Sequence, residues 1–426
     1  MTRGKRAAVI VAIVLVVDLL VGAAVVAWLN FRGEDPVLAD APPAAPADAA
    51  TIARGAYLAR AGNCIACHTA RGGAEYAGGR AVDTPFGTVY APNLTPDDET
   101  GIGTWSASDF WRALHNGRAK DGRLLYPAFP YPNYTLVSRT DSDALYAYLR
   151  TVPAVRQPKR LHELRFPYNL QVSLAVWRAL YFRPAHFEPD ANRSAEWNRG
   201  SYLVRGLGHC IACHSGRNVL GATTGDIELG GGLIPMQNWY APSLASAKEA
   251  GVAEWQIDEI VALLKTGISP RASVMGPMAE VVYRSTQHLT NEDIQAMAGF
   301  LKALPQAETE LLSIDFAPAD QLRAGARIYQ DQCANCHGER GEGVPRMYVP
   351  LAGNRAVTLP SPNNLVKSIL HGGFPPTTAG NPRPFGMPPF SQVLSDTEVA
   401  AVATFVRQAW GNVGSPVVPF DVVRAR

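Results

Sequence analysis

The sequence predicts a mainly α protein, with three tandem domains behind an N-terminal transmembrane helix. Three observations lead there. A Cys-x-x-Cys-His pentapeptide occurs three times, as Cys64-Ile65-Ala66-Cys67-His68, Cys210-Ile211-Ala212-Cys213-His214 and Cys333-Ala334-Asn335-Cys336-His337. Each is followed at a distance by a capped amphipathic helix, since Ser138 with Asp141, Thr290 with Asp293 and Ser395 with Glu398 make Ser/Thr-x-x-acid starts. Tyr148-Leu149, Phe300-Leu301 and Phe405-Val406 each begin ten residues past the cap, a matched offset that marks one repeated unit. Ahead of all three lies a long apolar run.

That run spans residues 7–29, after Arg3, Lys5 and Arg6, and is long enough to cross a bilayer with Trp28 at the interface. Asp18 interrupts it at a cost of roughly 2.5–3.5 kcal/mol, while its 14 Val, Ile and Leu residues return about 0.3–0.6 kcal/mol each. Insertion wins. The basic N-terminal flank orients the helix N-inside. The competing reading is a cleaved signal peptide, with 7–17 as its apolar region and a small-residue site near Val21-Gly22-Ala23. Asp18 is either a tolerated charge or a group that pairs with a partner helix or a quinone site. Residues 36–50, made mainly of Pro, Ala and Asp, read as a semi-rigid tether able to hold the first domain tens of ångströms off the membrane.

The pentapeptide is the attachment pattern of c-type haem: two thiols bond to the porphyrin vinyl groups and the adjacent imidazole ligates iron. A single copy could instead be a redox pair or half a zinc site. Three copies use all six cysteines and leave none for a disulfide. The expectation is three covalent haem c groups, on Cys64 and Cys67, Cys210 and Cys213, and Cys333 and Cys336, with His68, His214 and His337 as iron ligands. Covalent haem attachment takes place outside the bacterial cytoplasm, so the haem domains belong in the periplasm, behind a cell inner membrane anchor. Charge is balanced, 39 basic against 37 acidic residues, with no basic run in the body of the chain, which argues against nucleic acid as a partner.

Before each motif lies a short helical pattern: Arg54-Gly55-Ala56-Tyr57-Leu58, Arg199-Gly200-Ser201-Tyr202-Leu203 and, more loosely, Gly325-Ala326-Arg327-Ile328-Tyr329. A glycine there makes sense if another backbone crosses closely. A first helix leading into the motif, a middle loop and a last helix crossing the first resembles class I cytochrome c. The expected boundaries are 1–33 for the anchor or signal peptide, 34–50 for the tether and 51–160 for domain one. An apolar linker follows at 161–195, then domain two at 196–306, a linker at 307–320, domain three at 321–413 and a tail at 414–426. Domains one and two look like a duplication: Tyr90-Ala91-Pro92 matches Tyr240-Ala241-Pro242, Trp105 and Trp255 follow by fifteen, and Gly117 and Gly267 by twelve more. The first linker, with Phe166, Tyr168, Leu174, Trp177, Leu180 and Phe182, is too apolar for a solvated connector. Its role is to pack haem domains together, or to lie on the membrane or a partner.

A thioether opposite the histidine raises a haem's potential, so each domain should offer a Met before its last helix. Domain three offers Met387. Domain two offers Met278, presented from Gly276-Pro277, with Met275 as the alternative. Domain one has Phe129 in the corresponding stretch Tyr126-Pro127-Ala128-Phe129-Pro130-Tyr131, and no Met between Cys64 and Leu220. Its iron is open or water-bound, or takes His115, a tyrosine, Lys120 or a group from another domain. His115 stands two before Gly117 just as Lys265 stands two before Gly267, and His371 before Gly372 coexists with Met387. Those parallels favour a propionate or loop contact for the slot.

Residues 50–412 resemble the triheme cytochrome c subunits of membrane-bound periplasmic dehydrogenases. The Tyr-Ala-Pro stretches, Trp197-Asn198-Arg199-Gly200 and Gly276-Pro277-Met278 carry the likeness. The resemblance implies electron transfer from a dehydrogenase catalytic subunit (aldehyde, alcohol or sugar oxidising) to ubiquinone or a downstream cytochrome or oxidase. Phe129 looks like the molybdenum-dependent branch, and an N-terminal anchor departs from the alcohol dehydrogenase members. The alternatives are a cytochrome c subunit of a haem-copper oxidase and a haem peroxidase. Catalytic residues are not expected on this chain.

Overall fold

The computed structural model describes residues 2–34, 47–224, 227–307 and 315–426. The expected tether and second linker fall largely on 35–46 and 308–314, outside the described residues. The chain divides into two compact units, one of residues 1–55 with 77–187 and the other of 56–76 with 188–426. The division runs through the first expected domain.

In the first unit a single apolar helix, Arg3–Phe31, is exposed along most of its length, with Val26 and Leu29 half-buried and Asn30 buried near its end. At about 1.5 Å per residue it is roughly 43 Å long, more than the ~30 Å hydrocarbon core of a bilayer. Among the described residues it is the one helix long and apolar enough to cross a membrane. A three-stranded antiparallel sheet follows, Ala81–Thr84 on Gly87–Tyr90 on Glu163–Leu164, with Val82 opposite Val89 and Gly87 opposite Leu164. The expected apolar linker is therefore folded structure: it supplies the third strand and the helix Gln171–Tyr181. Glu34, the first residue of the expected tether, is held by Arg118 at 2.9 Å, so the chain just past the end of the apolar helix is fastened to this unit.

The capped helices form where the sequence places them, Arg139–Leu149 in the first unit and Asn291–Lys302 and Asp396–Gln408 in the second. Ser138, Thr290 and Ser395 each accept the backbone N–H three residues on, satisfying a donor the helix itself cannot. Each crosses the opening helix of its repeat at a glycine. A Cβ on Gly55 would overlap the Ala144 carbonyl and touch Tyr148; on Gly200, the Ala296 carbonyl and Phe300; on Gly325, the Ala401 carbonyl and Phe405. The glycine, the alanine carbonyl over it and the Cβ of the aromatic residue four positions past that alanine thus form one contact, made three times. Arg54 reaches Asp141 at 2.8 Å and Arg199 reaches Asp293 at 2.7 Å, so the arginine before the first two glycines binds the acid of the crossing helix's first turn.

The Tyr-Ala-Pro repeat ends a hairpin in each unit, Ala81–Thr84 with Gly87–Tyr90 and Gly232–Ile234 with Trp239–Ala241. Gly117 and Gly267, at φ 60° and 77°, end the helices Ala107–Asn116 and Ile257–Thr266 in a left-handed cap. In the third repeat the core forms around Tyr329, Val366, Leu370, Val399 and Val406, with the Tyr329, Phe405 and Trp410 rings mutually packed. The expected tail joins it: Val417 and Val422 are fully buried, the latter in the helix Pro419–Ala425.

Candidate functional site

The three pentapeptides are built alike. In each, the histidine N–H closes one turn on the carbonyl of the first cysteine: His68 on Cys64 at 3.0 Å, His214 on Cys210 at 2.9 Å and His337 on Cys333 at 3.0 Å. The first two turns begin from left-handed residues, Asn63 at φ 50° and His209 at φ 40°. None of the six cysteines is paired in a disulfide, and before haem is attached burial pushes the thiols of Cys64 and Cys210 up to about 12 and that of Cys333 to about 11.

His214 Nδ1 donates to the Pro242 carbonyl at 2.8 Å and His337 Nδ1 to the Val349 carbonyl at 3.0 Å. Burial lowers both imidazole pKa values, which favours the neutral ring. A neutral imidazole whose Nδ1–H is held by a carbonyl turns its Nε2 lone pair outward, which is how proteins fix a ligand histidine for a metal. The donor set fits a haem iron, with the cysteine pair one turn before it. The Pro242 carbonyl belongs to the repeated Tyr-Ala-Pro stretch, which explains that stretch: it orients the imidazole.

All three pentapeptides lie in the second unit. Those of the first two repeats adjoin, since Leu207 lies against Gly62 and Ser285 Oγ donates to the Ala61 carbonyl at 3.2 Å. The Met-bearing loops of the second and third repeats adjoin as well. Thr378 Oγ1 donates to the Thr266 carbonyl at 3.2 Å, and the Met275 methyl lies over Gly373, whose backbone is bridged to Met387.

The same backbone bridge follows the helix-ending glycine in every repeat: Arg118 with Leu124, Ile268 with Ser273 and Gly373 with Met387. Phe129 and Met278 each stand five residues past their bridge, so the sequence correspondence between them holds, whereas Met387 stands on its own. Met278 follows Pro277 at the first turn of the helix Pro277–Arg284, behind Gly276 at φ 58°, where a side chain would strike Trp239. Met387 packs on the third core, as does Cys333.

His115 lies in the first unit, buried, its ring stacked on Trp111 at 4.3 Å and on His186 at 4.7 Å. Lys120 donates to the Thr104 carbonyl and Lys265 to the Leu289 carbonyl, so the lysine in the slot before Gly267 makes a loop contact. Sequence reasoning missed Arg178, Asn30 and Glu34, which join the apolar helix to the first unit, and His162, whose Nδ1 accepts the Tyr90 N–H at 3.1 Å. A lone arginine in an otherwise uncharged apolar helix was the available signal for the first.

The cytochrome c family model matches residues 52–153 and 322–410. The cytochrome c subunit of the quinone alcohol dehydrogenase of Gluconobacter oxydans is 41% identical over 86% of this chain and 80% of its own length. The gluconate 2-dehydrogenase cytochrome c subunit of Pantoea cypripedii is 38% identical over 86% of this chain and 87% of its own. The chain belongs to the family of dehydrogenase cytochrome c subunits. It is an electron-transfer protein with covalently bound haem c. One of the nicotinate dehydrogenase subunits of Pseudomonas putida is 42% identical over 84% of this chain but only 30% of that longer protein, so a segment like this one also occurs fused to other sequence.

Proposed function

We propose that this chain is a triheme electron-transfer subunit. It takes electrons from a periplasmic dehydrogenase catalytic subunit that oxidises an aldehyde, alcohol or sugar, and delivers them to ubiquinone or the respiratory chain. The observation that carries the reading is the gathering of all three Cys-x-x-Cys-His turns in one compact unit, the first against the second and the second repeat's Met loop against the third's. Electron transfer falls off steeply with distance, and a series of adjoining attachment sites is what a relay needs. Haem bound there supplies a one-electron iron couple. Each of the three repeats is then a class I cytochrome c domain, with Met278 and Met387 as sixth ligands in the second and third. The apolar helix holds the protein in the inner membrane, with the haem domains in the periplasm.

Intact mass of the matured chain tests the cofactor count, three haem increments being expected. Purification from membranes with the co-associated proteins identified by mass spectrometry tests the rest. A flavin, quinoprotein or molybdenum dehydrogenase subunit supports the proposal. A multi-span oxidase as sole partner, or rapid peroxide turnover by the isolated chain, would replace it.

A further inference from the structure

The helix Gln171–Tyr181 carries its charge on the wrong side for a helix facing water. Its one charged residue, Arg178, is 2% exposed, while Val172, Val176 and Leu180, one stripe at i, i+4 and i+8, are exposed to 63%, 43% and 62%. Leu161 and Phe166 just before it, and Tyr181 at its end, add to the same apolar exposure. A stripe this apolar turned outward implies that its surroundings are not solvent.

What surrounds it follows from where it is fastened. Asn30, next to last in the apolar helix, donates through Nδ2 to the Ala175 carbonyl at 2.8 Å and accepts from Arg178 Nε at 3.0 Å. Arg178 also donates to the Asn116 carbonyl and lies 3.5 Å from Glu34, which Arg118 holds at 2.9 Å. The Arg118 guanidinium in turn covers the Phe31 ring at 4.6 Å. The middle of the linker helix is thus pinned at the level where residues 7–29 end, the level of lipid headgroups if those residues span a bilayer. Trp28 and Phe31, both exposed, stand at that level too, as does Arg183, a cation suited to lipid phosphate.

We propose that the helix Gln171–Tyr181 is a second membrane contact, lying in the interfacial layer beside the exit of the apolar helix and presenting Val172, Val176 and Leu180 to lipid. The proposal rests on reading Arg3–Phe31 as a membrane anchor. The inward Arg178 is then the clamp, and the lipid is what covers the outward stripe.

The test uses the full haem-loaded chain in phosphatidylethanolamine–phosphatidylglycerol vesicles, with a nitroxide on Val176→Cys or Leu180→Cys, on Val14→Cys within the anchor and on Lys248→Cys as an aqueous reference. The haem cysteines are consumed in thioethers, and the unsubstituted chain gives the labelling background. Collisions with oxygen against those with a water-soluble nickel chelate are expected to be several-fold higher at Val176 and Leu180 than at Lys248, approaching Val14. Values like Lys248 at both, with Val14 in lipid, overturn the proposal and leave the anchor standing. An aqueous Val14 overturns both. Protection from both reagents at Val176 and Leu180 means that protein covers the face, and also overturns it. The unsubstituted chain gives an independent reading: a photoactivatable phospholipid should form adducts within residues 166–183, and adducts confined to the anchor would contradict the proposal.

Discussion

Arg199 closes on Asp293 with two parallel contacts, Nε to Oδ1 and a terminal nitrogen to Oδ2, both 2.7 Å. Asp293 also accepts from the Tyr57 hydroxyl at 2.5 Å, and its backbone N–H is capped by Thr290. One carboxylate therefore ties together the first and second repeats. Because Arg199 is about a third exposed, the pair is worth less than a fully buried one. Asp293→Ala is expected to destabilise the second unit by about 1–3 kcal/mol. Denaturant unfolding followed by haem absorbance measures this, and a change under ~0.5 kcal/mol would mean that the network is incidental.

The glycine crossings give a paired prediction. In Gly200→Ala or Gly325→Ala the new methyl meets a backbone carbonyl that cannot yield, so the two helices must separate at a cost of about 1–3 kcal/mol or more. Fewer haems per chain are expected in the pyridine haemochrome assay. Gly299 is different: it sits inside the helix Asn291–Lys302 with no atom near where a Cβ would go, and Gly299→Ala should raise stability by about 0.5–1 kcal/mol.

His162 supplies a pH dependence. Burial, helped by Lys159 and Arg123, brings its pKa down to about 4, and its Nδ1 is occupied by the Tyr90 N–H. Between pH 6.5 and 4 the unfolded chain binds a proton here that the folded chain does not, so stability falls as pH is lowered through that window and levels off below it. The protection factor of the Tyr90 amide, corrected for the pH dependence of intrinsic exchange, is expected to fall over the same range. In His162→Gln that acid sensitivity should vanish.

The irons should separate by ligand. Met278→Ala and Met387→Ala are each expected to lower the potential of one haem and slow quinone reduction, while substrate oxidation with an artificial acceptor persists. Equal loss of both activities would make the methionines structural. With Phe129 where the second repeat has Met278, the first haem is expected to be high-spin, about a third of the ferric iron, and lowest in potential. That fraction should survive in His115→Ala, whose ring is already engaged by Trp111 and His186; low-spin iron turned high-spin by the change would make His115 the ligand.

Repetition made much of this legible in advance. Ser138, Thr290 and Ser395 announce their helices by a local rule, and a glycine matched to an aromatic across the repeat announces a crossing. How the apolar helix is fastened was not legible, because composition speaks of solvation and not of partners. Nothing local to Glu34 says that two arginines from distant segments, Arg118 and Arg178, come to meet it. The Tyr-Ala-Pro stretch was visible as a repeat but not as the holder of an imidazole, because that role belongs to the Pro242 backbone carbonyl, which any residue could supply.

The glycine crossings also impose an order of assembly. The two helices of each crossing stand at opposite ends of their repeat, with the Cys-x-x-Cys-His turn just after the first. A chain emerging N-terminus first therefore offers each cysteine pair as an open segment before the helix that will close over that repeat has appeared. Once the crossing shuts, Cys64 and Cys210 are half-buried, so the first sulfur of each pair is less open than in the unfolded segment. The clasp comes late, and attachment chemistry has its opportunity in the interval before it, one repeat after another along the chain.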